Sequence, residues 1–406
     1  MNVQEIRELV LSGALLSAQQ IDAQIEHWAA GGGPAGDGEN FLNTLVEQKF
    51  ITRFQAAAVR ACVQGPYRLG AYLVGDKVAA GRLGTIYRAV QVDFNQPVCL
   101  KIFPASVGDD RERATRLARE TRVALQVDHP HVVRTFQVGS VGKLIFLAIE
   151  DLQGETLDAR LKRERKLAAP DACRLIHGAA LGLAHLHDLD VIHRNLEPAN
   201  VWVTREGWAK LMEFSAARDA LAHLDVEAEG QDISLMSPDL LGSYDYMAPE
   251  QAAGAQLADA RSDIYSLGCI FFHCLTGETP FPDVNPVRKM MRHAREPVRS
   301  ICQLDPQIPE TVAAIVETML AKEPGSRYQS ARDVAAALEK ILELEEQAAV
   351  TTTDINPEFL KWAKAGVLPD EIHVVEAQHE FVDFLGWVAE HGEEEDDDED
   401  DTEDFE

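Results

Sequence analysis

Residues 1 to about 64 set apolar and polar positions at helical spacing, and two stretches within them repeat one arrangement. "LLSAQQ" (15–20) and "FITRFQ" (50–55) each place an apolar pair before a Ser or Thr, with Gln three positions later. That is the spacing of a capping box, in which hydroxyl and amide satisfy free backbone donors, so helices are predicted to start at Ser17 and Thr52. "GGGPAGDGEN" (31–40) between them has the composition of a flexible linker. From "GPYRLGAYLV" onward the pattern changes: short β-rich runs fill about 67–103, a helix is predicted over 111–127, and strands continue to about 150. Mostly helix follows, to about 346. Strands first and helices after predict an α+β fold with a small sheet lobe and a larger helical lobe. Beyond 350, "PEFLKWAKAG" and "HEFVDFLGWVAEH" are amphipathic helices that either pack on the helical lobe or bind something else. The expected organisation is a helical module (1–64), the α+β domain (67–341), a helical extension (350–391) and a tail (392–406).

Composition narrows the classes of function. The 406 residues suffice for two or three domains with a sizeable core. No run reaches the roughly 18 apolar residues of a membrane span; "IYSLGCIFFHCL" is broken by Gly268 and His273. "MNVQEIRELV" is too polar for a secretion signal, so a cytoplasmic location is expected. Six cysteines without a C-x-x-C pair read as reduced core residues. The net charge is −29, of which "EEEDDDEDDTEDFE" (393–406) supplies twelve acidic residues and no basic one, leaving −17 for the rest. Nothing here suits nucleic-acid binding, which needs basic clusters. The tail reads as a solubilising, self-repelling end, with a docking strip for a basic partner as the alternative. Protein partners are expected at the helical module and the extension.

Several motifs then follow in order. "VAAGRLGTIYRAV" carries Gly81 and Gly84, with Ala79 where a third glycine would complete the pattern. "PVCLKIF" holds Lys101 in an apolar run, where an ammonium needs a partner; Glu120 can face it, since Leu117, Thr121 and Ala124 recur around it at helical spacing. "VIHRNLEPANVWV" (191–203), "MEFSAAR" (212–218), "YMAPE" (246–250), "RSDIYSLG" (261–268) and "KEPGSRY" (322–328) complete the series. In this order and spacing, residues 67–341 resemble a bacterial protein kinase of the eukaryotic-like (Hanks-type) serine/threonine family.

The resemblance implies a role for each position. Gly81 and Gly84 would let backbone N–H groups approach ATP phosphates, Lys101 and Glu120 would form the pair that positions them, and Asn200 would help hold magnesium. His193, Arg194, Asp263, and Glu250 with Arg327 as its counter-ion would be structural. The acting positions depart from the family. Asn195 stands where an aspartate accepts the substrate's proton, and an amide cannot; such a base contributes roughly 10²–10⁴-fold. Glu197 replaces a lysine that steadies the transferring phosphate. Glu213 and Ser215 replace the first and last residues of Asp-Phe-Gly, and glutamate moves its oxygens out of a magnesium shell that tolerates little error. Strand alternation puts Val201 and Val203 on one face and Trp202 on the other, where the family has a leucine-sized floor for adenine; Cys99 narrows the roof. The expectation is a pseudokinase, with ATP and magnesium held weakly if at all. The alternatives are an active atypical kinase using Glu197 as base and Glu213 as metal ligand, or a nucleotide sensor. Ser234, Ser237 and Ser243 are candidates for phosphorylation that would dock on Arg194.

Overall fold

The computed structural model describes residues 1–81, 84–103, 124–213, 244–254, 257–342, 355–365 and 373–391. Glu120, Phe214, Ser215, the three candidate serines, most of the helix expected over 111–127, and the acidic tail lie outside the described residues. The chain divides into two compact units: Met1–Ala114 with Val138–Leu147 and Ile372–Glu406, and Thr115–Gln137 with Ala148–Glu371.

The first unit opens with helices α1 (Val3–Ser12), α2 (Ala18–Ala30), α3 (Gly38–Glu47) and α4 (Arg53–Arg60). Both predicted capping boxes form: Ser17 with Gln20 before α2, and Thr52 with Gln55 before α4. A third, Asn2 with Glu5, starts α1 and has the same spacing with different residues. The stretch 31–40 departs from the flexible linker expected of it. The indole N–H of Trp28 donates to the Pro34 carbonyl at 3.2 Å, and Asp37 caps α3. A Cβ on Gly33 would lie 2.1 Å from the Trp28 ring, so that glycine serves close packing.

Strands β1 (Arg68–Leu69), β2 (Tyr72–Gly81), β3 (Gly84–Gln91), β4 (Gln96–Ile102), β5 (Thr135–Val141) and β6 (Leu144–Glu150) follow. With β10 (His373–Val374) they form a seven-stranded sheet in the order β1-β2-β3-β4-β6-β5-β10. β6, "LIFLAIE", is buried at every position, which is why it reads as an unbroken apolar run. Helix α4 is tied to this sheet by Gln55, whose amide donates to the Val74 carbonyl at 2.8 Å, and by the Phe54 ring 5.1 Å from that of Tyr87.

The second unit holds a three-stranded sheet of β7 (Gly154–Thr156), β8 (Val201–Thr204) and β9 (Ala209–Leu211) in that order. Its helices are α5 (Leu157–Glu164), α6 (Ala169–Asp188), α7 (Pro249–Ala253), α8 (Ala260–Thr276), α9 (Pro286–Arg295), α10 (Ile301–Leu304), α11 (Glu310–Met319), α12 (Ala331–Leu342) and α13 (Pro357–Ala365). The apolar stripes of α6, α8, α11 and α12 meet in one core, with Leu183, Ile270, Val316 and Leu338 buried.

The C-terminal extension divides between the two units. α13 packs in the helical unit, Phe359 lying 4.9 Å from Phe136. β10 and α14 (His379–His391) instead belong to the sheet unit. β10 pairs in parallel with β5, the Glu380 carboxylate accepts the Gln64 N–H at 3.0 Å, and Phe381 stacks on Tyr67 at 5.2 Å. No helix among the described residues is long and apolar enough to cross a membrane.

Candidate functional site

The stretch 191–203 leaves α6, turns, and enters β8. Its shape is fixed by one carboxylate on the first turn of α8. Asp263, 1% exposed, accepts the backbone N–H groups of His193 and Arg194, each at 2.8 Å, and the imidazole of His187 at 2.8 Å. Arg194 lies at φ +62, a left-handed conformation uncommon for residues other than glycine, and these bonds oppose its relaxation. Nε2 of His193 lies 3.0 Å from the Met212 carbonyl. Burial pushes this imidazole down, against the pull of Asp263 and of that carbonyl, so the ring is neutral and Nε2 carries the proton it donates.

The acting positions lie inside this frame. Asn195 is buried, and its carbonyl accepts the side-chain amide of Asn200 at 2.8 Å. The same amide lies 3.5 Å from Oε1 of Glu197, which is half-buried. A 3-10 turn over Pro198–Asn200 holds the three together, and the Asn200 carbonyl accepts the Met212 N–H at 3.0 Å. The next residue, Glu213, sits at φ +67, also in the left-handed region.

Glu250 and Arg327 meet as predicted. Their two contacts are 2.7 and 2.9 Å, a bidentate pair, and Ser262 donates a further bond to Glu250 at 2.6 Å. Burial pushes the Glu250 carboxyl up, but Arg327 and Ser262 outweigh it and hold the group below the ordinary range. Arg327 also donates to the carbonyls of Arg261, Ala321 and Lys322.

β8 shows the expected alternation. Val201 and Val203 join the helical core, whereas Trp202, on the other face, is 1% exposed and its indole N–H donates to the Gln153 carbonyl at 3.3 Å. In the sheet unit, Gly81 lies opposite Gly84 in the β2–β3 pair. Gly84 has φ +135, and a Cβ there would lie 2.2 Å from the Ile102 carbonyl oxygen, so strand packing alone demands a glycine. Cys99 and Lys101 share one face of β4, both buried, with the ammonium 5.0 Å from the centre of the Phe103 ring.

One buried ion pair escaped sequence reasoning. Lys210 reaches both oxygens of Glu150 at 2.7 and 2.9 Å, both residues are buried, and Glu150 accepts the Arg134 N–H at 3.0 Å. Lys210 stands opposite Trp202 in the β8–β9 register. The available signal was a charge closing one apolar run, Glu150, and a charge set within another, Lys210, the latter being the signal that singled out Lys101. Among the described residues, no group of three or more His, Cys, Asp or Glu side chains is arranged to hold a metal ion.

Residues 72–338 match the family model for the protein kinase domain. The chain belongs to the protein kinase family. It is 30% identical over 280 residues to the serine/threonine-protein kinase PknB of Mycobacterium leprae, a match covering 68% of this chain and 44% of that protein. It is 28% identical over 267 residues to the serine/threonine-protein kinase PrkC of Bacillus subtilis, covering 66% and 40%. The match therefore spans about two-fifths of the length of these curated relatives. The sheet unit and helical unit supply the small and large lobes of this kinase fold, with the four N-terminal helices added to it.

Proposed function

We propose that this protein is a pseudokinase, a kinase fold that regulates or scaffolds other proteins without transferring phosphate. The observation that carries this reading is Glu197, whose carboxylate stands beside the Asn200 amide where relatives would have a cation. A like charge about 4 Å from a phosphate oxygen repels by about 4 kcal/mol at an effective dielectric near 20, and the attraction of the missing lysine is lost as well. Asn195 cannot take up a proton, which removes the general base. Nucleotide would lie against Gly81, Gly84 and Lys101, and a cation against Asn200 and Glu213; the acidic groups fit a triphosphate poorly. Trp202 and Cys99 would crowd the adenine. The N-terminal helices and the C-terminal extension would supply the contacts with protein partners.

The test is transfer of labelled γ-phosphate by the full chain to itself and to general kinase substrates. The expected result is no incorporation with magnesium or manganese. Incorporation that disappears in Lys101→Ala would refute the proposal.

A second reading is favoured by the position of Glu197 two residues from Asn195: the carboxylate has moved along the loop, and it could act as base with Glu213 on the metal. Glu197→Gln would then abolish activity, whereas a pseudokinase is indifferent to it. Binding of ATP without turnover is separated by thermal shift. A ligand at a hundred times its Kd stabilises by about 2.7 kcal/mol. No shift at millimolar ATP, with a shift gained in Trp202→Leu, would identify the indole as the block.

A further inference from the structure

Three rings pack together inside the helical unit: the His293 imidazole lies 5.7 Å from Tyr265 and 4.8 Å from Phe281, centre to centre. Four cations stand around them, and three are answered. Lys289 meets Asp245 at 2.7 Å, Arg292 meets Glu296 at 2.6 Å, and Arg327 meets Glu250 at 2.7 Å. The fourth, Lys322, makes no ion pair among the described residues, in a chain with 67 acidic side chains against 38 basic ones. Its ammonium instead lies 4.2 Å from the centre of the Phe281 ring and 5.7 Å from that of Tyr265, whose hydroxyl is 3.4 Å away. Both rings are buried and both are shared with another cation: Arg292 lies 5.9 Å from the first and Arg327 4.8 Å from the second.

A half-buried amine with like charges for neighbours and no carboxylate is disfavoured as a cation. Burial pushes Lys322 down to about 8, with Arg327 adding to the shift and Cys269 and Glu296 opposing it. Glu296 gives little relief, because Arg292 takes both its oxygens at 2.6 and 3.0 Å. The Tyr265 phenol and the Cys269 thiol, pushed up by burial, and the His293 imidazole, pushed down by it, are all uncharged near pH 8. The backbone carrying the amine is fixed, since Arg327 donates to the Lys322 carbonyl at 2.9 Å. At pH 8 about half of this amine is free base, against about 0.3% of an ordinary lysine; lower basicity takes back part of that gain, as it does for thiols. A free amine is a nucleophile, and two ring faces suit a neutral amide better than an unpaired ammonium.

We propose that Lys322 is an acylation site that takes short acyl groups from activated donors, either acyl phosphates or acyl thioesters. The Nζ lone pair attacks the acyl carbonyl carbon and a C–N bond forms. The C–O or C–S bond to the donor breaks, its electron pair leaves on phosphate or thiolate, and Nζ gives its extra proton to solvent. The product is a neutral amide, which removes the unanswered charge from the cluster. The assignment is independent of whether the kinase fold transfers phosphate.

The test incubates the full chain with acetyl phosphate, or in a second arm with acetyl-CoA, from about pH 6.5 to 10, and reads acetylation at each lysine by peptide mass spectrometry. At pH 7.5 Lys322 should react about tenfold faster than the exposed Lys162, with a rate that levels off above about pH 8. In concentrated urea, where the rings no longer surround it, the two lysines should react alike. Arg292→Gln frees Glu296 to pair with Lys322 and should slow its acetylation about fivefold at pH 7.5. Arg292 is partly exposed, so the fold is expected to survive, and the comparison with Lys162 in the unaltered chain stands without this variant. Labelling by one donor alone would identify the class of donor that the site takes. Labelling of Lys322 no faster than of Lys162 with either donor, the same ratio in urea as in buffer, a rate still climbing through about pH 9.5, or indifference to Arg292→Gln would overturn the proposal.

Discussion

Four carboxylates around the kinase loop make an instructive pair of sets. Asp263 and Glu250 are buried or nearly so and fully engaged, one by two backbone N–H groups and an imidazole, the other by a guanidinium and a hydroxyl. Glu197 and Glu213 are half-buried, and they stand at the positions that would act on phosphate and metal. The first set holds the backbone in a conformation it would not keep alone. The second set stands at the positions where this chain departs from the family, beside Asn200 and after Met212. The first set is a requirement of the fold whether or not the second acts on phosphate.

The comparison can be broken most directly at Asp263. Asp263→Ala strands the N–H groups of His193 and Arg194, and should cost about 4 kcal/mol, read as a fall in the urea midpoint. A loss below about 1 kcal/mol would mean that the loop does not depend on this carboxylate. Arg327→Leu should follow at about 3 kcal/mol, because Glu250 keeps its charge with only the Ser262 hydroxyl left to answer it.

Acid should act on the helical unit through buried imidazoles. Burial, with Lys322 and Lys289 nearby, pushes His293 down to about 3, and burial beside His131 and His185 pushes His129 down to about 4. Between pH 6.5 and 4 the unfolded chain takes up protons that the native state refuses, so stability is full near neutrality and falls with pH, the more deeply buried His293 carrying more of the loss than the half-buried His129. Replacing both with glutamine should flatten the curve over that window. The smallest effect sharpens the contrast: Glu197→Gln at pH 7 should move stability by less than about 0.5 kcal/mol. A cost comparable to that of Asp263→Ala would erase the distinction between the two sets.

Much of this site was legible because its members are neighbours in the chain. His193, Arg194, Asn195, Glu197 and Asn200 lie within eight positions, so a pattern in one loop named them together. The Glu250–Arg327 pair spans 77 positions and was reached through the family resemblance. Lys210 and Glu150, 60 positions apart, had no such guide, one lying inside a three-residue strand and the other closing a long one. Composition misled at 31–40: three successive glycines suggested slack, but Gly33 is there to let an indole lie flat against the backbone.

By itself the sequence determined the helix starts at Ser17 and Thr52, the two faces of β8, and the chemistry available in the loop at 191–203. Each depends on spacings of a few residues, which covalent geometry alone converts into direction. Tertiary structure decided that α14 serves the sheet unit while α13 serves the helical one, and that Lys210 answers Glu150. An apolar stripe or a buried charge requires a partner without specifying which, and only the packed chain brings the two surfaces together.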